Sequence, residues 1–183
     1  MKDVMLDIES LGNGKHAAIV QVGAAYFDRV TGAIGNTFKI NIDARSAVES
    51  GAELDADTVY WWLSQSREAI DSITEGPLAR IDLAMGELNS FLRDATAMWS
   101  HIPYDWVIIT ETFKRLQMRT SFHYRTARDI RTLVDLAGIE TAKFHLQREG
   151  IHHDALADCF HQIKYCVAAF QKLGPAKPLE HRL

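Results

Sequence analysis

Cysteine is almost missing from this chain: Cys159 and Cys166 are the only two in 183 residues. They lie seven positions apart in a helical stretch, where side chains two turns apart are too distant for a disulfide. A disulfide-built scaffold is therefore excluded, and a reduced, cytoplasmic setting is expected. Long apolar runs are lacking as well: no window approaches the roughly 20 residues of a membrane span, and the first residues show no signal-peptide pattern. Basic charge is in deficit, with 20 Lys and Arg against 24 Asp and Glu and a net charge of -4. That excludes a broadly basic nucleic-acid coat but leaves room for a local basic strip beside an acidic site. Repeats, low-complexity segments and linkers are absent too. The composition, 47% hydrophobic and 24% charged, is that of one ordinary globular domain, expected over residues 1–175 with a short tail over 176–183.

Against this background stand four carboxylates and a histidine in three clusters: Asp7 and Glu9 in VMLDIES, Asp105 in IPYDWV, and His153 with Asp158 in HHDALAD. Four anionic side chains brought together repel one another unless cations sit between them, so a fold that gathers them implies metal. Oxygen ligands select hard cations, Mg²⁺ or Mn²⁺, over zinc. A pair of such ions suits the cutting of phosphodiesters.

The local patterns place these residues on elements. The apolar run from Lys2 to Ile8 reads as a buried strand ending before Gly12 and Gly14, with Asp7 and Glu9 at its carboxyl end. Alternation on a strand points residues 7 and 9 to one side. Residues 18–29 and 33–42 read as two further strands joined at Val30-Thr31-Gly32, giving an antiparallel meander. A helix capped by Asp57 or Thr58 is expected through Val59, Trp62, Leu63 and Ser66, and a break at Gly76-Pro77 opens another that runs to about Arg93. Residues 95–102 form a short strand candidate. Tyr104 to Arg115 reads as a helix with Asp105 at its start, where a carboxylate also suits the helix dipole without any metal. A helix from Asp129 to Ala137 stops at Gly138, residues 139–152 read as irregular, and a last helix runs from about Asp154 to Leu173. His153 and Asp158, five apart, would be offset by roughly 140° on one helix. They can share a site only if His153 enters from the preceding loop.

Taken together, Asp7-Ile8-Glu9, Asp105 in Tyr104-Asp105-Trp106, and the His-x4-Asp from His153 to Asp158 resemble the motifs of the DnaQ-like, or DEDDh, 3'-5' exonucleases. The resemblance spans nearly the whole chain. It is closest to the group of phage exonuclease A and mycobacterial exoribonuclease-like proteins, through Thr58-Val59-Tyr60-Trp61-Trp62-Leu63-Ser64-Gln65 and Arg128-Asp129-Ile130-Arg131-Thr132-Leu133. One departure is SHIPYDWVII around Asp105, where the family pattern has a glycine ahead of a phenylalanine-aspartate pair. The resemblance implies an α/β RNase H-like fold, a central mixed sheet whose first three strands are antiparallel, flanked by helices. It further implies that Asp7, Glu9, Asp105 and Asp158 bind two Mg²⁺ or Mn²⁺ and that His153 is the general base. The implied substrate is single-stranded RNA or DNA with a free 3' end, trimmed to nucleoside 5'-monophosphates, with a slight lean to RNA. A homodimer is also implied.

Other residues carry two readings. By the resemblance, Ser10 and Leu11 contact the terminal nucleotide; as plain loop residues they need no role. Trp61 and Trp62 can stack on bases or pack in the core, and since neighbours on a helix point about 100° apart, at most one faces substrate. Gln65 shares that ambiguity. Arg128 belongs to a strip of six cations, Lys114, Arg115, Arg119, Arg125, Arg128 and Arg131, that is either a nucleic-acid contact or a solvated face. His152 lacks the four-residue gap to Asp158, and a zinc site from Cys159, His153 and His161 lacks a second thiolate. His153-Asp154 superficially matches the all-helical HD phosphohydrolases, and the β-rich first forty residues count against that reading. The remaining rivals are a DNA exonuclease of the same fold and a non-catalytic nucleic-acid-binding module.

Overall fold

The computed structural model describes residues 1–145 and 148–174; the tail expected over 176–183 lies outside them. The first three strands, β1 (Asp3–Ser10), β2 (Ile19–Phe27) and β3 (Ile34–Ile42), form the antiparallel meander. The β2–β3 turn is held by Asp28, whose carboxylate accepts the Val30 and Thr31 N–H groups at 2.9 and 2.8 Å, and Gly32 supplies the positive φ of 76°. Then follow α1 (Ala44–Glu49), α2 (Ala56–Leu63), α3 (Arg67–Thr74), β4 (Leu78–Ala79), α4 (Ile81–Phe91), β5 (Ala97–Ser100) and α5 (Tyr104–Arg115). The chain continues through β6 (Ala127–Asp129), α6 (Ile130–Ala137) and α7 (Thr141–His145) to α8 (Ala155–Leu173). The six strands are ordered β4-β3-β2-β1-β5-β6, with β5 and β6 parallel to β1 and β4 parallel to β3. This is the mixed α/β sheet of an RNase H-like fold.

Strand β1 is central and buried on both faces. Its even residues Val4, Leu6 and Ile8 pack with Ile81, Met85 and Leu88 of α4 and Ile108, Ile109 and Phe113 of α5. On the odd side Met5 joins Ile130 and Val134 of α6 and Cys159, Ile163 and Cys166 of α8. Alternation then puts Asp7 and Glu9 on the α8 side, at the carboxyl end of the strand. Both cysteines are free and buried.

The closest backbone approach in this layer decides how the site is built. Gly23, opposite Asp7 in the β1–β2 register, lies under the start of α8, where a Cβ would come within 2.3 Å of the Ala155 carbonyl carbon. With no side chain there, α8 rests directly on the sheet, and the Ala155 N–H donates to Gln21 Oε1 at 2.7 Å.

Several boundaries differ from expectation. The helix expected through Ser66 is two helices: Asp55, not Asp57 or Thr58, caps α2, and Ser66 caps α3 by accepting the Ala69 N–H. Pro77 precedes a two-residue strand rather than opening a helix, because Leu78 and Ala79 pair with Asn41 and Ile42 at the sheet edge. The segment read as irregular contains α7, and α1 and β6 are further elements. By contrast, α5, and α6 with its Asp129 cap and left-handed Gly138, lie where the sequence pattern puts them.

Gly23→Ala should lower stability by about 1–3 kcal/mol, the usual range for overpacking against backbone that cannot yield. Gly14→Ala, whose added Cβ meets nothing within 4 Å, should melt close to the parent. Thermal unfolding of both variants decides, and equal melting temperatures would contradict the close approach.

Candidate active site

Because β1 and β5 run parallel, their carboxyl ends meet at one edge of the sheet. Asp7 and Glu9 leave β1 there, and Asp105, in the first turn of α5, returns to the same edge from the chain after β5. Asp158 arrives from the first turns of α8. His153 is not on that helix: Asp154 caps α8 through the Ala157 N–H at 3.1 Å and pairs with Lys39, so His153 lies in the loop before it. Its backbone is left-handed, with φ 63°, a conformation in which histidine and asparagine are over-represented among non-glycine residues. The Ser72 hydroxyl holds its carbonyl at 3.2 Å. The imidazole is walled by Trp61 and Trp62, ring centroids 4.8 and 6.0 Å away and nearly perpendicular, and by His152 at 3.9 Å.

The fold thus brings all five residues to one edge, in two separate groups whose charges act on each other. Ligand atoms of Glu9, His153 and Asp158 lie within 4.8 Å of one another, and so do those of Asp7, Asp105 and His101. Asp7 Oδ1 accepts a hydrogen bond from Gln162 Nε2 at 2.7 Å, one helical turn beyond Asp158, and Asp105 Oδ2 accepts the His101 N–H at 2.8 Å. Asp158 is paired with Arg148, whose charge also reaches Asp7 and Glu9.

Burial sets the electrostatics. It raises the Asp7 carboxyl from 3.8 to about 7, against the pull of Gln162 and Arg148. It raises Glu9 from 4.5 to about 9, with the charges of Asp7 and Asp105 adding to the effect. Asp105, only 2% exposed, is also held well above its ordinary range by burial and by Asp7. These are carboxylates crowded beyond what one guanidinium and one amide neutralise, and their donor atoms are oxygens that suit a hard divalent cation. His153 is shifted the other way: burial, then His152 and Arg148, bring it to about 4 and keep it neutral near pH 7.

The remaining residues singled out from the sequence are scattered in role. Ser10 is tied into its own loop, its hydroxyl donating to the Gly12 carbonyl at 2.5 Å and sharing a 2.8 Å hydrogen bond with the Tyr104 hydroxyl. Leu11 packs on Val20, Trp62, Ala69 and Ile73. Trp62 is 4% exposed and donates its indole N–H to the Ser10 carbonyl at 2.9 Å, so it is a core residue, whereas Trp61 is 43% exposed. Gln65 bonds back to the Trp61 carbonyl at 3.0 Å. Arg128 stands on β6 with its guanidinium on the Arg125 and Ala127 carbonyls, and makes no hydrogen bond or ion pair with the carboxylates among the described residues. Three site neighbours carry no motif of their own: Gln162, Arg148 and His101. Of these only Gln162 had a signal, its position one turn after Asp158.

Four carboxylates collected at the open end of an RNase H-like sheet, with a neutral imidazole alongside, mark a nuclease. Which nuclease is settled along the whole chain: a model of the 3'-5' exoribonuclease Rv2179c-like domain matches residues 2–170, and the chain belongs to that family. Its activity is that of a 3'-5' exoribonuclease, its substrate is RNA, and metal dependence goes with that class of enzyme. No curated protein matches the chain. Among the described residues no helix is long and apolar enough to cross a membrane.

The raised carboxyls make a pH prediction. The folded chain keeps protons on Asp7 and Glu9 that the unfolded chain has lost, so stability falls as pH rises from about 4 through about 7 for Asp7 and about 9 for Glu9. Divalent cations held by these carboxylates would bind the ionised forms and offset that loss. In EDTA the melting temperature should drop between about pH 5 and pH 9, and the rise produced by Mn²⁺ should grow over the same range. A cation-induced rise that is independent of pH would count against these carboxylates as the ligands.

Proposed function

We propose that this chain is a two-metal 3'-5' exoribonuclease that trims single-stranded RNA or 3' overhangs one nucleotide at a time, with Asp7, Glu9, Asp105 and Asp158 as metal ligands and His153 as general base. The observation that carries the reading is the meeting of these five side chains, from β1, α5, α8 and the loop before α8, in two electrostatically linked groups at the sheet edge. Glu9, Asp158 and Asp7 would hold one Mg²⁺ or Mn²⁺; Asp7 and Asp105 would hold the second. When bound, such ions stabilise charge on the attacking and leaving oxygens of an in-line displacement.

The chain's own groups supply the rest. A neutral His153 nitrogen takes a proton from the attacking water, which adds to the terminal phosphorus as the bond to the 3' oxygen of the preceding nucleotide breaks. The released product is a nucleoside 5'-monophosphate, and the shortened RNA regains a 3'-hydroxyl. Gln162 orients Asp7 through its 2.7 Å hydrogen bond. Trp61, exposed beside His153, is the tryptophan available to stack on the terminal base, with Trp62 fixing its helix from below. Leu11, on the loop leaving β1 and packed against Trp62, would border the terminal nucleotide, and Ser10 supports that loop.

The test follows 5'-labelled single-stranded RNA, single-stranded DNA and overhang duplexes with Mg²⁺, with Mn²⁺ and with EDTA. Stepwise shortening from the 3' end of RNA is expected, and EDTA or Asp7→Asn should abolish it. His153→Asn, which suits the left-handed backbone, should slow turnover by roughly 10² to 10⁴ while leaving the Mn²⁺-induced rise in melting temperature intact. Trimming that survives EDTA and Asp7→Asn would refute the two-metal reading, and internal cuts would make the enzyme an endonuclease.

A further inference from the structure

The basic strip divides in the folded chain. Arg115 turns toward Ser50 and Thr112, and Arg131 borders a separate cavity with His101 and His145. Lys114 and Arg119 instead line a cavity of about 620 Å³ on the flank of α5, together with Trp106, Phe122, His123 and Tyr124. No acidic residue is among the residues lining it, although the chain as a whole carries a net charge of -4. Lys114 is paired with Glu111, a surface ion pair of the kind that is readily exchanged for another anion.

Geometry links this groove to the carboxylates. It starts at Trp106, the residue after Asp105, and continues through Thr110 to Lys114, positions that fall on one flank of the helix. At 1.5 Å per residue the flank from Trp106 to Lys114 is about 12 Å long. Its aromatic groups grade from core to surface: Phe122 is buried in the core, Trp106 is half-buried against it, and Tyr124 is exposed. Phe122 forms the floor, with Trp106 at 5.5 Å between ring centroids. Tyr124 is 67% exposed, with His123 at 4.2 Å and the Arg125 guanidinium 5.8 Å from its ring. Exposed aromatic faces interleaved with cations are what a single-stranded polyanion with stackable bases requires.

We propose that the groove along α5 is the track for the 5' portion of a single-stranded RNA whose 3' end lies at the carboxylates, with Trp106 and Tyr124 stacking on bases and Lys114 and Arg119 meeting phosphates. The proposal rests on the exoribonuclease reading of the site and adds to it a reason for preferring longer strands. Affinity should rise with RNA length until the groove is filled and then level off.

Binding is measured by fluorescence anisotropy on the full chain carrying Asp7→Asn, with Mg²⁺ present. The probes are 5'-labelled oligouridines, one a dinucleotide and one of about 12 nucleotides, within the span of known single-strand sites. Tyr124→Ala should weaken binding of the longer probe about 5-fold or more, with Tyr124→Phe restoring it. Lys114→Gln with Arg119→Gln should weaken it further and flatten its salt dependence, by about 0.7 in log-log slope for each phosphate no longer neutralised. Dinucleotide affinity should stay within about 2-fold of the parent throughout. All three positions are at the surface, and melting curves verify that the variants fold. The track is refuted if the longer probe binds every variant as tightly as the parent. It is equally refuted if the variants change the oligomeric state by light scattering without changing RNA affinity, which would make the groove an interface between copies. Failure of the unsubstituted chain to shorten RNA is a separate result and tells against the site reading alone.

Discussion

Everything at the catalytic edge depends on how closely one helix can lie on one strand. α8 carries Asp158, and Gln162 one turn later, and both must reach the end of β1. They do so because β2 offers bare backbone at Gly23, directly opposite Asp7, where the first turn of the helix settles. The Cys159 thiol between them fits against the carbonyls of Met5 and Gly23. A helix held off by a single methyl group would carry its carboxylate and amide away from the partners they meet.

This docking also explains why a hydrophobic interior and a cluster of acids adjoin so sharply. The odd row of β1 changes from Met5, packed in the core, to Asp7 and Glu9 within a few residues. Hydrophobic packing of α8 on the sheet provides the energy that holds the carboxylates out of water. The penalty shows in their raised proton affinities. The site is strained electrostatically by the same contacts that stabilise the fold, a strain that a bound cation would relieve.

Much of this was legible in the residue pattern, because the relevant signals are local. Asp7 and Glu9 share a face by strand alternation, Asp105 heads a helix whose limits match its apolar spacing, and the five-residue interval from His153 to Asp158 already required a loop entry. What was illegible depends on partners distant in sequence. β4 consists of two residues stabilised by pairing with β3, which no propensity records. Ser66 starts a helix where the apolar rhythm could equally continue one. Gly23 resembles any glycine in a strand until the helix that needs it is placed. His101 and Arg148 join the site through chain geometry at the ends of β5 and α7. For Trp61 and Trp62 the sequence limited the choice to one exposed ring, and burial selected which.

The pairing of Arg148 with Asp158 bears on the order in which the enzyme assembles. The Arg148 guanidinium neutralises part of the acidic cluster from within the chain itself. A divalent ion held by Asp158 would compete with that guanidinium, so that loading would be an exchange of one cation for another. Arg148 sits five residues before His153 in the chain segment that leads into α8. Such an exchange would release the segment that carries the imidazole as the metal side of the site fills.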